Sequence, residues 1–434
     1  MMRKLLAGSA ITLILSAFLI LSTFASAQNI IYARQTMDTL SSPAMFGRGY
    51  VNNGCNIAAG YLAGEMKRLG LSAYTPGYKQ EFKVDVKTYP SDMYLEIDGK
   101  CLKPGQDFTV MAGSPSMDDM FRLLRIDSSD FRYPKKLERI QKKNLRHTMM
   151  VYNRDEMHGK YGRMADSLLH SNYIGCAGFI ILTHKNSIAW SVNAPENGLP
   201  YPVLTVLSKQ MPDKPKYAGV KITLESIADY PVSNVIGFIP GTTQPDSFMV
   251  ITAHYDHLGM MGNSTLFAGA NDNASGTAMM LDLAAHYMQD ADRPAFSMVF
   301  IALAGEEIGL KGSNYNSEHP LFPLSGIRFL INLDMVGTGS EGITMVNAEQ
   351  FPLYYDRLVK INADNEYLRK VAKRGESCNS DHCPYYKKGV PATFIYSMGK
   401  EYLEYHNIQD QAQRVPLTEY EDIFRLLRDF INTF

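Results

Sequence analysis

The chain has almost no excess charge: 43 lysines and arginines stand against 44 aspartates and glutamates, a formal net charge of −1 over 434 residues. Without a long run of either sign, nothing in the charge pattern supports binding to nucleic acid or to an anionic membrane. Cysteine is scarce too. Cys55, Cys101, Cys176, Cys378 and Cys383 are too few and too scattered for a scaffold built on disulfides. No CxxC pair exists, which sets aside a zinc site made of thiolates. Cys378 and Cys383 alone are close enough for a local bridge, and a bridge and two free thiols both remain open. No GxSxG turn carries a serine nucleophile.

The one long apolar run is at the start. Residues 1–27 carry Arg3-Lys4, an apolar core from Leu5 to Phe24, and then Ala25-Ser26-Ala27, which has the small-x-small form of a signal peptidase site. An exported chain beginning near Gln28, secreted or periplasmic, is the expectation; an uncleaved anchor is the alternative. No later segment reads as transmembrane, so no membrane contact is expected after cleavage. The 45% hydrophobic share is that of a globular protein, and the remaining length suits one large domain and a smaller one.

Apolar residues Ala58, Tyr61, Leu62, Met66 and Leu69 recur at helical spacing before Gly70, which predicts an amphipathic helix from Asn56 to Leu69. A strand is expected from Glu81 to Val86. The character then changes to prolines, basic residues and polar stretches, which marks residues 89–228 as an insert between residues 28–88 and 229–434 of the main domain. Within it, Ala177–Thr183 and Tyr201–Leu207 read as short buried strands, giving a small mixed or β-rich unit. Its histidines, His147, His158, His170 and His184, share no spacing and read as surface or packing residues.

Past residue 229 the pattern alternates. Strands are expected at Val235–Pro240, Phe248–Ala253, Phe296–Ala304, Ile327–Leu333 and Val390–Tyr396, with helices at Ser275–Met288 and Leu417–Phe434. Near-continuous apolar strands alternating with helices predict an α/β fold, a mostly parallel, mixed sheet covered by helices on both faces. In such sheets the site lies beyond the carboxyl ends of the strands. Polar residues stand at those ends: His254 and Asp256 after one strand, Glu306-Glu307 after another, Asp334 after a third. Asp272 sits in the small-residue loop Gly269–Gly276 at a helix start, where a carboxylate is favoured. Tyr405-His406 follow in a late loop. Two imidazoles and several carboxylates without a thiolate suit zinc, with manganese or cobalt also compatible by ligand type. The set is large enough for two ions with a carboxylate left over as base.

These motifs, HYD, GAxDNASG, EE, NLDMVG and YH in order between Val250 and Asp410, resemble the secreted di-zinc aminopeptidases and their relative glutamate carboxypeptidase. The resemblance implies two zinc ions per chain. His254 and Asp334 would hold one ion, Glu307 and His406 the other, with Asp272 bridging. It further implies that Glu306 is the general base for attack by a bridging hydroxide, that Asp256 accepts the free N–H of His254, and that Tyr405 donates to the oxyanion. Peptides are the implied substrates, cleaved from the N-terminus in the first reading. A glutaminyl cyclase with one zinc, or a non-catalytic receptor on the same scaffold, are the alternatives.

The chain departs from the family pattern at His257, where relatives often have serine, and at Asn271, where many have aspartate. A place at the pocket rim or facing solvent is expected for His257. Ser380-Asp381-His382 resembles a loop that lines the site in relatives. The insert resembles a protease-associated domain, which implies a lid or access role. Oligomeric state and residue preference are not legible.

Overall fold

The computed structural model describes residues 28–289 and 293–434; the expected export leader at 1–27 lies outside them. Two sheets organise the chain. The larger has nine strands, in the order Ser72–Ala73, Glu225–Ile239, Phe296–Leu303, Gln244–His254, Ile327–Leu333, Ala392–Met398, Gly342–Val346 and Val371–Lys373, with Lys79–Thr88 also paired to Glu225–Ile239. The four central strands, from Phe296–Leu303 to Ala392–Met398, are parallel. Antiparallel neighbours flank them on both sides. The fold is thus the mixed α/β sheet that the apolar runs predicted.

Alternation along the central strands explains why those runs are uninterrupted. Met249, Ile251 and Ala253 point to one face with Phe300 and Phe329, against helices Gly54–Leu69, Gly276–Tyr287 and Tyr420–Ile431. Phe248 and Val250 point to the other with Val299, Ile301 and Leu330, against Phe322 and the helix His382–Lys387. Both faces are buried, so both residue parities are mainly apolar, with Thr252 and Asn332 hydrogen-bonded to each other. The strands Gly342–Val346 and Val371–Lys373 were not expected. They are five and three residues long, too short to show a period before the helix Pro352–Asn365 that separates them.

Parallel register sets the site. His254 pairs with Leu303, and Leu333 with Ile395, so three strands end level and release His254, the Glu306 turn and Asp334 along one edge.

The second sheet has eight strands, all between residues 94 and 222. Its core of Met117–Arg125, Thr148–Asn153, Gly178–Thr183 and Val203–Leu207 is parallel. The connecting strand Glu225–Ile239 runs without a break across residues 228 and 229 into the main sheet, with only a register shift between Ile227 and Tyr230. Cys378 and Cys383 form a disulfide, and Cys55, Cys101 and Cys176 are free.

One side chain ties the site loop to this frame. Arg48 is fully buried. Its Nε donates to the Tyr255 carbonyl at 2.6 Å, Nη1 to Leu40 at 2.8 Å and Ala268 at 2.7 Å, and Nη2 to Gly269 at 2.6 Å. Burial lowers the guanidinium to about 10, which leaves it charged at neutral pH. Arg48→Met would orphan four buried carbonyls, each costing about 1–3 kcal/mol before relaxation. We expect it to lower the urea midpoint by the equivalent of at least about 3 kcal/mol. Arg48→Lys should recover only part of that, because an ammonium cannot reproduce the planar fork; equal midpoints for Arg48→Met and the parent would refute the clamp.

Candidate active site

The loop Gly269–Gly276 delivers Asp272 between two histidines. Its Oδ1 lies 3.4 Å from His254 Nε2, and its Oδ2 lies 3.0 Å from His406 Nε2. His254 Nε2 is also 3.5 Å from Asp334 Oδ1, and His406 Nε2 is 3.2 Å from Glu307 Oε2. The structure therefore brings together all five side chains expected to hold metal. They form two groups, His254 with Asp334 and His406 with Glu307, that share the two oxygens of one carboxylate. The Asp272–Asn273 peptide is cis.

Supporting contacts fix each of these groups. Asp410 accepts from the backbone N–H of Asn271 at 2.8 Å and of Asp272 at 3.1 Å, and Tyr402 donates to it at 2.9 Å. Asp334 accepts from Ser380 Oγ at 2.8 Å. Ser380 in turn accepts from Asn332, which accepts from Thr252. Ser380 is therefore an orienting hydroxyl for Asp334, and no Ser–His pair forms: His382 bonds the Ser377 carbonyl instead. Asn271 accepts from the Gly337 N–H, a role an amide oxygen fills without charge.

Two expectations change. His254 Nδ1 meets the backbone carbonyl of Asp256 at 3.1 Å, whereas the Asp256 carboxylate is 3.8 Å away. That carboxylate instead accepts the backbone N–H groups of Glu306 at 3.1 Å and Glu307 at 3.3 Å. Asp256 thus shapes the Glu–Glu turn and steadies His254 through its main chain. His257 is neither at the rim nor facing solvent. It is buried, with Nδ1 2.8 Å from Glu307 Oε1, and its ring lies flat against Gly269, where any Cβ would come within 2.4 Å. A histidine just past a strand end does not reveal from sequence alone that it is buried.

His406 takes its orientation from the second sheet region. Its Nδ1 lies 3.0 Å from the Trp190 carbonyl, and the Trp190 N–H donates to the His406 carbonyl at 2.7 Å. Tyr405 stacks on the imidazole with ring centroids 3.8 Å apart and keeps half its surface exposed. Glu306, Asp334, Arg374, Phe394 and Tyr405 line a cavity of about 230 Å³ over the cluster. A larger cavity, about 820 Å³, lies by Glu65, Arg68 and Asp282 and contains none of these groups.

The electrostatics call for cations. Burial opposes charge on both histidines, yet the surrounding carboxylates hold His254 well above its ordinary value and raise His406 to about 11. Burial and the carboxylates of Asp381, Glu307 and Asp334 push Glu306 well up, even against the pull of His254. Burial likewise raises Asp381 to about 7 and Asp256 to about 6. Asp272 and Glu307, against the cost of burial, are held low by the imidazoles facing them, Glu307 at about 2. Carboxylates outnumber the imidazoles of His254, His257 and His406, and the ligand atoms of His254, Asp272 and Asp334, like those of His257, Asp272 and Glu307, lie close enough to share an ion. This donor set fits two zinc ions.

Residues 234–431 match the model of Peptidase family M28. The chain is 36% identical over 115 residues to a probable zinc metalloprotease of Pyricularia oryzae, covering 26% of this chain and 22% of that protein. It is 24% identical over 357 residues to aminopeptidase YwaD of Bacillus subtilis, covering 77% of this chain and 72% of the relative. The chain spans about a quarter of the length of the fungal relatives it matches. The solved structure of BSAP, a zinc aminopeptidase from Bacillus subtilis, superposes with a TM-score of 0.70 at 19% identity, over 94% of this chain and 95% of that one. That likeness covers both sheets and shows that the two chains share a fold.

Asp410 touches no proposed ion, yet it holds the backbone that presents Asp272. Asp410→Ala should weaken zinc binding roughly 10–100-fold, the scale for losing an outer-shell partner. Competition with a chromophoric chelator would measure it, and parent-like affinity would remove Asp410 from the site.

Proposed function

We propose that this chain is a zinc-dependent aminopeptidase acting outside the cytoplasm, with two ions per chain. His254 and Asp334 would hold one ion, His406 and Glu307 the other, and Asp272 both. The observation that carries this reading is the division of Asp272, one oxygen to each histidine. It supports two ions over the single zinc of a cyclase-like site, and a complete donor set argues against a receptor that has lost its chemistry. Among the described residues no helix is long and apolar enough to cross a membrane.

When bound, the zinc ions would polarise the scissile carbonyl and acidify the attacking water. The protein does the rest with its own groups. Glu306 removes a proton from that water and delivers it to the leaving nitrogen. Its raised proton affinity, set by burial and neighbouring carboxylates, suits a group that must take up and return a proton. The hydroxyl of Tyr405, a residue that lines the cavity, donates to the carbonyl oxygen as charge develops there. The free ammonium of the substrate has acceptors in Glu306 and Asp334, which line the same cavity. We assign residues 89–228 to the inserted unit and residues 28–88 and 229–434 to the catalytic one.

Arg374 also lines the cavity and would be the anchor if the enzyme cut from the carboxyl end. The two directions separate cleanly: the proposal expects hydrolysis of free N-terminal peptides and none after N-acetylation, read by mass spectrometry. Cleavage of acetylated peptides with loss of the C-terminal residue would replace it. Glu306→Gln should retain two zinc ions by elemental analysis while turnover drops roughly 10²–10⁴-fold. Parent-like turnover in that variant would remove Glu306 as the base.

A further inference from the structure

A second cavity, about 490 Å³, opens on the far side of His406, and its walls come from the inserted region: Val110, Met111, Ala112, Trp190 and Pro195. Its size falls within the roughly 300–1,000 Å³ of small-ligand pockets. His406 lines both cavities, turning Nε2 toward Asp272 and Nδ1 toward Trp190. Their chemistry differs. The 230 Å³ cavity is lined by Asp272, Glu306 and Asp334, whereas the second contains no charged side chain apart from His406 itself.

The wall is rigid where it touches the site and adaptable farther out. Trp190 is clasped to His406 through its own N–H and carbonyl, its indole Nε1 donates to the Val110 carbonyl at 2.7 Å, and its ring packs on Phe267 at 4.9 Å. Met111 is 38% exposed, a flexible thioether side chain that can fit varied apolar shapes.

We propose that this cavity is a substrate subsite for the residue whose amine departs, and that it selects an apolar side chain there. The argument rests on the aminopeptidase reading and on charge. A peptide lying across the cluster must place its ammonium beside carboxylates, which only the smaller cavity offers. Its second residue then falls on the opposite side of His406, in the uncharged cavity. The inserted region thereby builds half of the substrate site.

The test uses the zinc-loaded full chain and two substrates that differ only on the leaving side. Leucinamide releases ammonia and reaches nothing in the second cavity; Leu-Phe-amide places a phenyl ring there. Met111→Asp and Pro195→Asp, both at exposed positions, should lower kcat/KM for Leu-Phe-amide by about tenfold and leave leucinamide within about twofold. A readout independent of turnover is available because Trp190 is the chain's single tryptophan. Titrating Glu306→Gln with Leu-Phe-amide should shift its fluorescence saturably, whereas leucinamide should not. Equal losses on both substrates, no loss on either, or an unmoved Trp190 signal would overturn the subsite while leaving the aminopeptidase reading intact. A parent enzyme inert toward both amides would overturn the two together.

Discussion

The structure turns on one constraint: a single carboxylate must offer an oxygen to each of two imidazoles that arrive from opposite ends of the site. His254 comes from a central strand and His406 from a loop near the end of the chain. Asp272 can serve both only if its backbone is pinned, since the aspartate side chain has too few bonds to adjust on its own. Asp410 holds its amide from one side, and Arg48 gathers the preceding carbonyls from the other. Gly269 has a φ of +61° and lies against the His257 ring, where no side chain would fit. The small-residue loop is therefore a consequence of how closely the backbone must approach.

Charge sets the second constraint. Burying this many carboxylates with only three imidazoles, His254, His257 and His406, leaves negative charge that the protein itself does not balance. The buried guanidinium of Arg48 spends its donors on carbonyls. Burial raises the proton affinity of Glu306, Asp381 and Asp256 in this setting. Divalent cations would relieve the excess.

How much was legible follows from how each residue acts. His254, Glu306, Glu307 and Asp334 were readable because parallel strands end in register, so a polar residue after an apolar run marks the edge where ligands gather. Asp272 was readable from its loop, and His406 once the ordered motifs were recognised. Arg48, Asp410 and Trp190 were not. Arg48 and Trp190 meet their partners through main-chain carbonyls and Asp410 through backbone amides, across 207, 216 and 138 positions respectively. A bond to main chain leaves no complementary side chain in the sequence to betray it. The short antiparallel strands at the sheet edge were hidden for a different reason, having too few residues to display a period.

His406 itself sits at φ +53°, a left-handed backbone that costs an L-residue about 1–2 kcal/mol. Its own loop gives it no glycine to absorb that strain. The two hydrogen bonds with Trp190 are what hold it there, and they come from a loop between two strands of the other sheet. The position of the second histidine is thus a joint property of both halves of the molecule: pruning the insert to leave a minimal catalytic core would let this loop relax, and the histidine would swing away from the carboxylate it shares.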